Sequence, residues 1–137
     1  VVRRWLAGAI LLGACTCAAS ALAAAPACAV AAGESVTLRS SDFDPDVLVW
    51  DSRQRAIDYV GGNIKSTTEV LVHTLLSKPG TKAVVTACDP GSSKPRYANV
   101  ALDTVGIKIT TGPHKGRYGW VTSGDMRGNS PSMAATP

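Results

Sequence analysis

Past its first thirty residues the chain is patterned in short alternating segments. Ser35 to Arg39 puts Val36 and Leu38 on one face with polar residues between them, the period-two pattern of a half-buried strand. Ser40 to Pro45 is a turn-rich link, and Val47 to Trp50 is a continuous apolar run that predicts a short buried strand with Trp50 in the core. The period then changes. Ser52 stands where a helix cap would, Ala56, Ile57 and Val60 fall at helical spacing, and Gly61-Gly62 supplies the stop. Ser66-Thr67-Thr68-Glu69 has the spacing of a capping box and predicts a second helix over Val70 to Leu76, closed by Lys78-Pro79-Gly80. β-branched residues in that segment leave a strand over Glu69 to Leu75 as the alternative.

Strand patterns then return. Lys82 to Cys88 centres on Val84 and Val85, and Asp89 to Pro95 has the composition of a turn or hairpin loop. Arg96 to Leu102 carries Tyr97, Val100 and Leu102 and predicts a further strand. Val105 to Ile109 alternates with Val105, Ile107 and Ile109 inward, Gly112 to Gly116 forms a loop, and Tyr118 to Val121 is the last long strand. Residues 129–137 have no apolar pattern and are expected to form a flexible tail. Short strands recurring at intervals of roughly ten residues predict a small barrel or sandwich over residues 34–128.

The N-terminal stretch differs in kind. Arg3 and Arg4 precede an uncharged run from Trp5 to Ala14, then small residues containing Ala21-Leu22-Ala23, which is the layout of a secretory signal ending at residue 23. A second route is open: Leu12-Gly13-Ala14-Cys15 resembles a bacterial lipobox, which would make residues 1–14 the signal and Cys15 the lipidated N-terminus. Residues 24–33 then form an Ala-rich linker. No later apolar run approaches the roughly 20 residues a membrane-spanning helix needs. The expected location is periplasmic or secreted, or membrane-anchored through lipid alone.

Composition narrows the field. The 137 residues suffice for one domain, and the basic excess is small: 14 Lys and Arg against 10 Asp and Glu, two of the arginines lying in the leader. Such a balance carries no strong footprint for nucleic acid or membrane, so no nucleic-acid partner is expected. Cleavage after residue 23 leaves Cys28 and Cys88, which could pair and staple the N-terminal arm to the body; cleavage after Ala29 would leave Cys88 alone. No cysteine or histidine spacing fits a structural zinc site, and no cofactor motif is present. Asp42, Asp44 and Asp46 alternate along a loop but lack the remainder of an EF-hand, which favours a solvated loop over a calcium site. His73, His114 and Cys88 have no flanking signature of a nucleophile and base.

The stretch from Val105 to Met126 combines an alternating strand, a Gly-containing hairpin, Gly119-Trp120-Val121, a short turn over Thr122 to Asp125 and a closing apolar residue. In this it resembles the C-terminal half of bacterial Src-homology-3-like (SH3-like) domains, and Ser35 to Arg39 with Val47 to Asp51 resembles their opening strand and divergent loop. The resemblance implies a small antiparallel SH3-like β-barrel, here with a short helical insertion over Ser52 to Ser77. It implies non-catalytic recognition of a peptide or of peptidoglycan by an aromatic-rimmed surface. Tyr97, Tyr118 and Trp120 are the candidate binding residues, with Lys115 and Arg117 contributing charge; Trp120 is also expected to plug the core. The same hairpin resembles the KOW motif of ribosome-associated proteins, but the leader and the modest charge argue against that reading. A different class of function is an envelope inhibitor or accessory protein that docks on a protein partner through Ala56, Ile57, Val60, Val70 and Leu71 of the insertion.

Overall fold

The alternating segments become strands of one sheet in the computed structural model, which describes residues 27–40 and 44–128. β1 (Ser35–Leu38) is followed by β2 (Val47–Trp50), α1 (Arg53–Val60), α2 (Thr67–His73) and β3 (Thr74–Ser77). β4 (Lys82–Ser93), β5 (Leu102–Ile109) and β6 (Tyr118–Thr122) form a meander, and a 3-10 turn (Ser123–Asp125) leads into β7 (Met126–Gly128). The strand order is β3-β2-β6-β5-β4-β1-β7, all neighbours are antiparallel, and the sheet curls into a half-barrel. The expectation of a mainly β domain with a short helical insertion is met. Both expected signal cleavage points, Cys15 and the tail lie outside the described residues.

Period-two patterning decides which face is filled. Val36 and Leu38, Val47 and Val49, Ala83 and Val85, then Val105, Ile107 and Ile109 point into the curl with Val121 and Met126. This core is aliphatic apart from Met126. Trp120 is not its plug: it lies half-buried on the opposite, outer face, with its ring over Gly106, where a Cβ would come within 3.3 Å of Trp120 Cζ3. Alternation is the reason, because Gly119 and Val121 take the inward positions of β6. Trp50 is buried as expected, but outside the main core cluster; its ring packs on Tyr59 of α1 with centroids 5.0 Å apart.

The helices follow their start and stop signals. Ser52 Oγ accepts from the Arg55 amide at 3.2 Å, and the Gly61 and Gly62 amides close the end of α1 on the Ile57 and Tyr59 carbonyls. α1 lies over β4, β5 and β6 and buries Ala56. Ser66 Oγ caps α2 through the Glu69 amide at 3.4 Å, but the helix ends at His73 and the chain continues as a strand. Both expectations for this segment are therefore half met. α2 buries no residue, so nothing extends it, whereas Thr74 to Ser77 gain a full ladder against β2.

Two expectations between Asp89 and Leu102 are reversed. Asp89 to Ser93 continues β4 instead of turning, through a register shift in which Asp89 faces Thr104 and Ser93 faces Leu102. The bulge absorbs Pro90, which has no amide to donate, and Gly91 at φ +61°. Its interior is satisfied by the Gly91 amide on Asp103 Oδ1 at 2.9 Å and by Ser93 Oγ against Thr104 Oγ1 at 2.7 Å. The strand predicted over Arg96 to Leu102 is a loop up to residue 101, with Tyr97 92% and Val100 68% exposed, so its apolar residues face no core.

The N-terminal arm is fixed to the sheet. Cys28 and Cys88 form a disulfide, the Gly33 amide donates to the Val85 carbonyl at 2.7 Å, and the Ala29 amide donates to Asp103 Oδ2 at 2.9 Å. Val30 joins the core. Residues 27–33 of the stretch read as a linker are thus docked.

β2 meets β6 through one register pair, Trp50 opposite Trp120. That approach needs a residue without a side chain, because a Cβ at Gly119 would overlap Val49 Cγ1 and lie 2.9 Å from the Trp50 carbonyl oxygen. Gly119→Ala is therefore expected to cost about 2 kcal/mol, as overpacking of a core does; urea denaturation measures it, and an unchanged midpoint would show that the strands separate freely. Replacing Cys28 and Cys88 together by serine is expected to cost about 4 kcal/mol in the same assay, since the bridge closes a loop of 60 residues.

Candidate functional site

A cleft of about 780 Å³ opens beside β2. Segments far apart in the chain build it. β2 contributes Leu48 and Trp50, the end of α1 contributes Tyr59, and the connection to α2 contributes Ile64 and Lys65. Arg96 and Tyr97 stand on the loop after β4, and the 3-10 turn closes one end with Gly124. Asp44 and Asp46, ahead of β2, bring carboxylates to the rim. A second hollow of about 400 Å³ shares Leu48, Tyr59 and Ile64 and extends towards Val70 and Leu76.

Local backbone explains these placements. Gly62 turns the chain after α1 at φ +78°, and the stem of Arg96 lies where a side chain at Gly62 would be, 3.0 Å from the position of its Cβ. The Arg96 guanidinium sits 5.6 Å from the centre of the Tyr97 ring, a cation–π stack that holds the loop side of the cleft. Asp46 Oδ1 accepts from Lys78 Nζ at 2.6 Å. The Asp125 carboxylate caps the 3-10 turn, accepting from the Thr122 amide at 3.2 Å and from Thr122 Oγ1 at 2.8 Å. The cleft thus combines aromatic rings with carboxylates and with the cations of Lys65 and Arg96, and Lys65 also lines the second hollow together with Asp44 and Asp46.

The candidate residues from the sequence divide. Tyr97 lines this cleft, although from a loop and not from a strand beside Tyr118. Lys115, Arg117 and Tyr118 belong to the β5–β6 hairpin, Trp120 lies over Gly106, and none of the four lines the cleft. Trp50, Tyr59, Lys65 and Arg96 are cleft residues that sequence reasoning missed. The visible signal was an aromatic at the end of a predicted strand followed by another in the last turn of a predicted helix. Of the apolar set expected on the insertion, Ala56 is buried under α1, Ile57, Val60 and Val70 are half-buried, and Leu71 is exposed together with Val72 and Leu76.

The reactive side chains have structural partners. Cys88 is bonded to Cys28, so it has no thiol to pair with His73 or His114. His114 Nε2–H donates to the Leu76 carbonyl at 3.2 Å. Among the described residues one group of three potential metal ligands occurs, Cys28, Cys88 and Asp103, and the disulfide takes both sulfurs. Of the three alternating aspartates, Asp42 lies outside the described residues, while Asp44 and Asp46 stand at the cleft rim. Comparison with protein-family models, with curated proteins and with solved structures finds no match to this chain.

Asp51 joins the two helices behind the cleft. Its Oδ2 accepts from His73 Nδ1 at 2.7 Å, its Oδ1 from the Arg55 guanidinium at 3.0 Å, and its amide donates to the His73 carbonyl at 2.9 Å. Partial burial pushes the carboxyl pKa up, but hydrogen bonds from His73 and Arg55, with their positive charge, outweigh it and hold the group below its ordinary value. A lowered folded-state pKa stabilises the fold above the unfolded value of about 3.9, and that contribution is lost as pH falls through the folded value. Asp51→Asn is therefore expected to narrow the gap between urea midpoints at pH 7 and at about pH 3. An equal gap in both proteins would show that the cluster contributes no net stability.

Proposed function

We propose that this chain is an exported, non-catalytic binding module of the bacterial envelope, an SH3-like half-barrel whose aromatic cleft recognises the peptide portion of peptidoglycan. The cleft is the observation that carries the reading. Tyr59 and Tyr97 offer apolar ring surface beside the buried Trp50, and Asp44, Asp46, Lys65 and Arg96 supply both signs of charge. An extended peptide bearing both amines and carboxylates matches that arrangement.

Several features support the family and the location. The order implied by the SH3-like resemblance is opening strand, divergent loop (here with the helical insertion), alternating strand, glycine hairpin, Gly-Trp-Val strand, short turn and closing apolar residue. The same order runs from β1 to β7. The helical insertion borders the cleft without filling it. A disulfide between Cys28 and Cys88 suits an oxidising compartment, and the leader supplies the route there. No helix among the described residues is long and apolar enough to cross a membrane.

Docking on an envelope protein through the insertion is a second reading, favoured by Leu71 and Val72, which are 57% and 69% exposed on α2. Co-sedimentation of the oxidised protein with purified peptidoglycan sacculi separates the two. Tyr97→Ala, a change in an exposed loop, is expected to weaken sedimentation about tenfold, while Tyr118→Ala leaves it unchanged. Absence of sedimentation would overturn the wall-binding reading. Loss in Tyr118→Ala alone would move the site to the hairpin.

A further inference from the structure

The outer face of the sheet away from α1 carries a second chemistry. Strand register lays out two neighbouring rows of outward residues: Arg127, Thr37 and Lys82 across β7, β1 and β4, then Ser35, Val84, Lys108 and Tyr118 across β1, β4, β5 and β6. The β5–β6 hairpin, which joins the Lys108 and Tyr118 ends of these strands, carries Lys115, while Arg117 lies opposite the inward Ile109 and alternates to the other face. Lys82, Lys108, Lys115, Arg117 and Arg127 are all exposed, and Tyr118 is 64% exposed. No acidic residue occurs in either row or anywhere between Asp103 and Asp125. The ion pairs described here use Arg53, Arg55, His73 and Lys78, all towards the helical side. Arg53 of α1 pairs with Asp89, at the far end of β4 from Lys82, so the helix leaves these rows open.

We infer that this face docks on an anionic lipid bilayer. The patch is two-dimensional, spanning five strands, or roughly 19 Å at the usual ~4.8 Å between strands. It lies on the outside of the curl, while the core fills the inside. A flat, negatively charged surface can meet all of its cations at once, whereas a linear polyanion is held by a basic groove. The large cleft of this protein has aspartates at its rim and is no such groove. Tyr118 stands among the cations, with Lys108 Nζ 5.4 Å from its ring centre. A tyrosine flanked by lysines is the residue type that settles at headgroup depth, with its ring in the interface and its hydroxyl in water. The attraction is purely of charge and surface, independent of what the cleft binds.

Vesicle co-flotation of the full, oxidised chain tests the inference. Vesicles of phosphatidylglycerol mixed with phosphatidylcholine are compared with phosphatidylcholine alone, which reports any binding through the apolar N-terminal stretch. Each cation near an anionic surface is worth about fivefold in partitioning, so a Lys82→Gln, Lys108→Gln, Lys115→Gln variant is expected to bind about a hundredfold more weakly. Binding of the wild type should vanish on raising salt from about 0.05 to about 0.5 M, where screening shortens to a few ångströms. Lys65→Gln, at the cleft, should bind as the wild type does, and circular dichroism verifies that the triple variant is folded. Equal binding to the two vesicle types, or a folded triple variant that binds normally, would overturn the inference. Soluble polyphosphate bound as tightly per phosphate as the vesicles would replace the bilayer with a linear polyanion.

Discussion

The helical side of this protein depends on the approach of β2 to β6 at Gly119. The meander of β4, β5 and β6 and the pairing of β1 with β4 and β7 make one unit, with its core inside the curl. In the sheet, the β2–β3 ladder is joined to it by the one register pair, Trp50 opposite Trp120. Val49 Cγ1 and the Trp50 carbonyl occupy the space a side chain at residue 119 would need. With that space free, Val49 enters the core and Trp50 turns to the other face, where it stacks on Tyr59. The other ties are the packing of α1 on β4, β5 and β6, the entry of Val47 and Val49 into the core, and two polar contacts, Arg53 on Asp89 and His114 on the Leu76 carbonyl. They steady the insertion, but the backbone contact positions it.

The core was legible because it obeys a single rule. Where residues alternate, as at Val36 and Leu38 or Val105, Ile107 and Ile109, the inward set is the buried set. The caps at Ser52 and Ser66 were equally legible, since each is a local bond between a side chain and an amide three residues on. Reading failed where tertiary contacts override local chemistry. Asp89-Pro90-Gly91 has the composition of a turn, yet the disulfide at Cys88 and the Asp103 carboxylate hold it alongside β5 as a bulged strand. Tyr97 and Val100 suggested a strand, but after Pro95 no partner strand is left to receive one.

Much less of the site was legible, for a geometric reason. The cleft takes its side chains from segments spread between Ser40 and Asp125, and sequence periodicity reports only which residues share a face of one element. Tyr97, a candidate from its aromatic character, lines the cleft, while Trp50 is buried as its strand pattern predicts and still borders the cleft. Charge was misleading in a related way. A small net excess says little about distribution. Asp44 and Asp46 stand at the cleft rim, while Lys82, Lys108 and Arg127 share the outer face of the sheet away from α1 and no acid occurs between Asp103 and Asp125. One curled sheet thereby presents a mixed-charge aromatic cleft beside its insertion and a basic surface away from it.

The account stands or falls on where a ligand lands. Amide chemical shifts of isotopically labelled, oxidised protein, followed during titration with soluble peptidoglycan fragments that retain their peptides, answer this directly. The account predicts movements confined to residues 44–50, 59–65, 95–98 and 122–125, with the Trp50 indole among them. No movement at saturating fragment, or movement confined to the 112–118 hairpin, would contradict it.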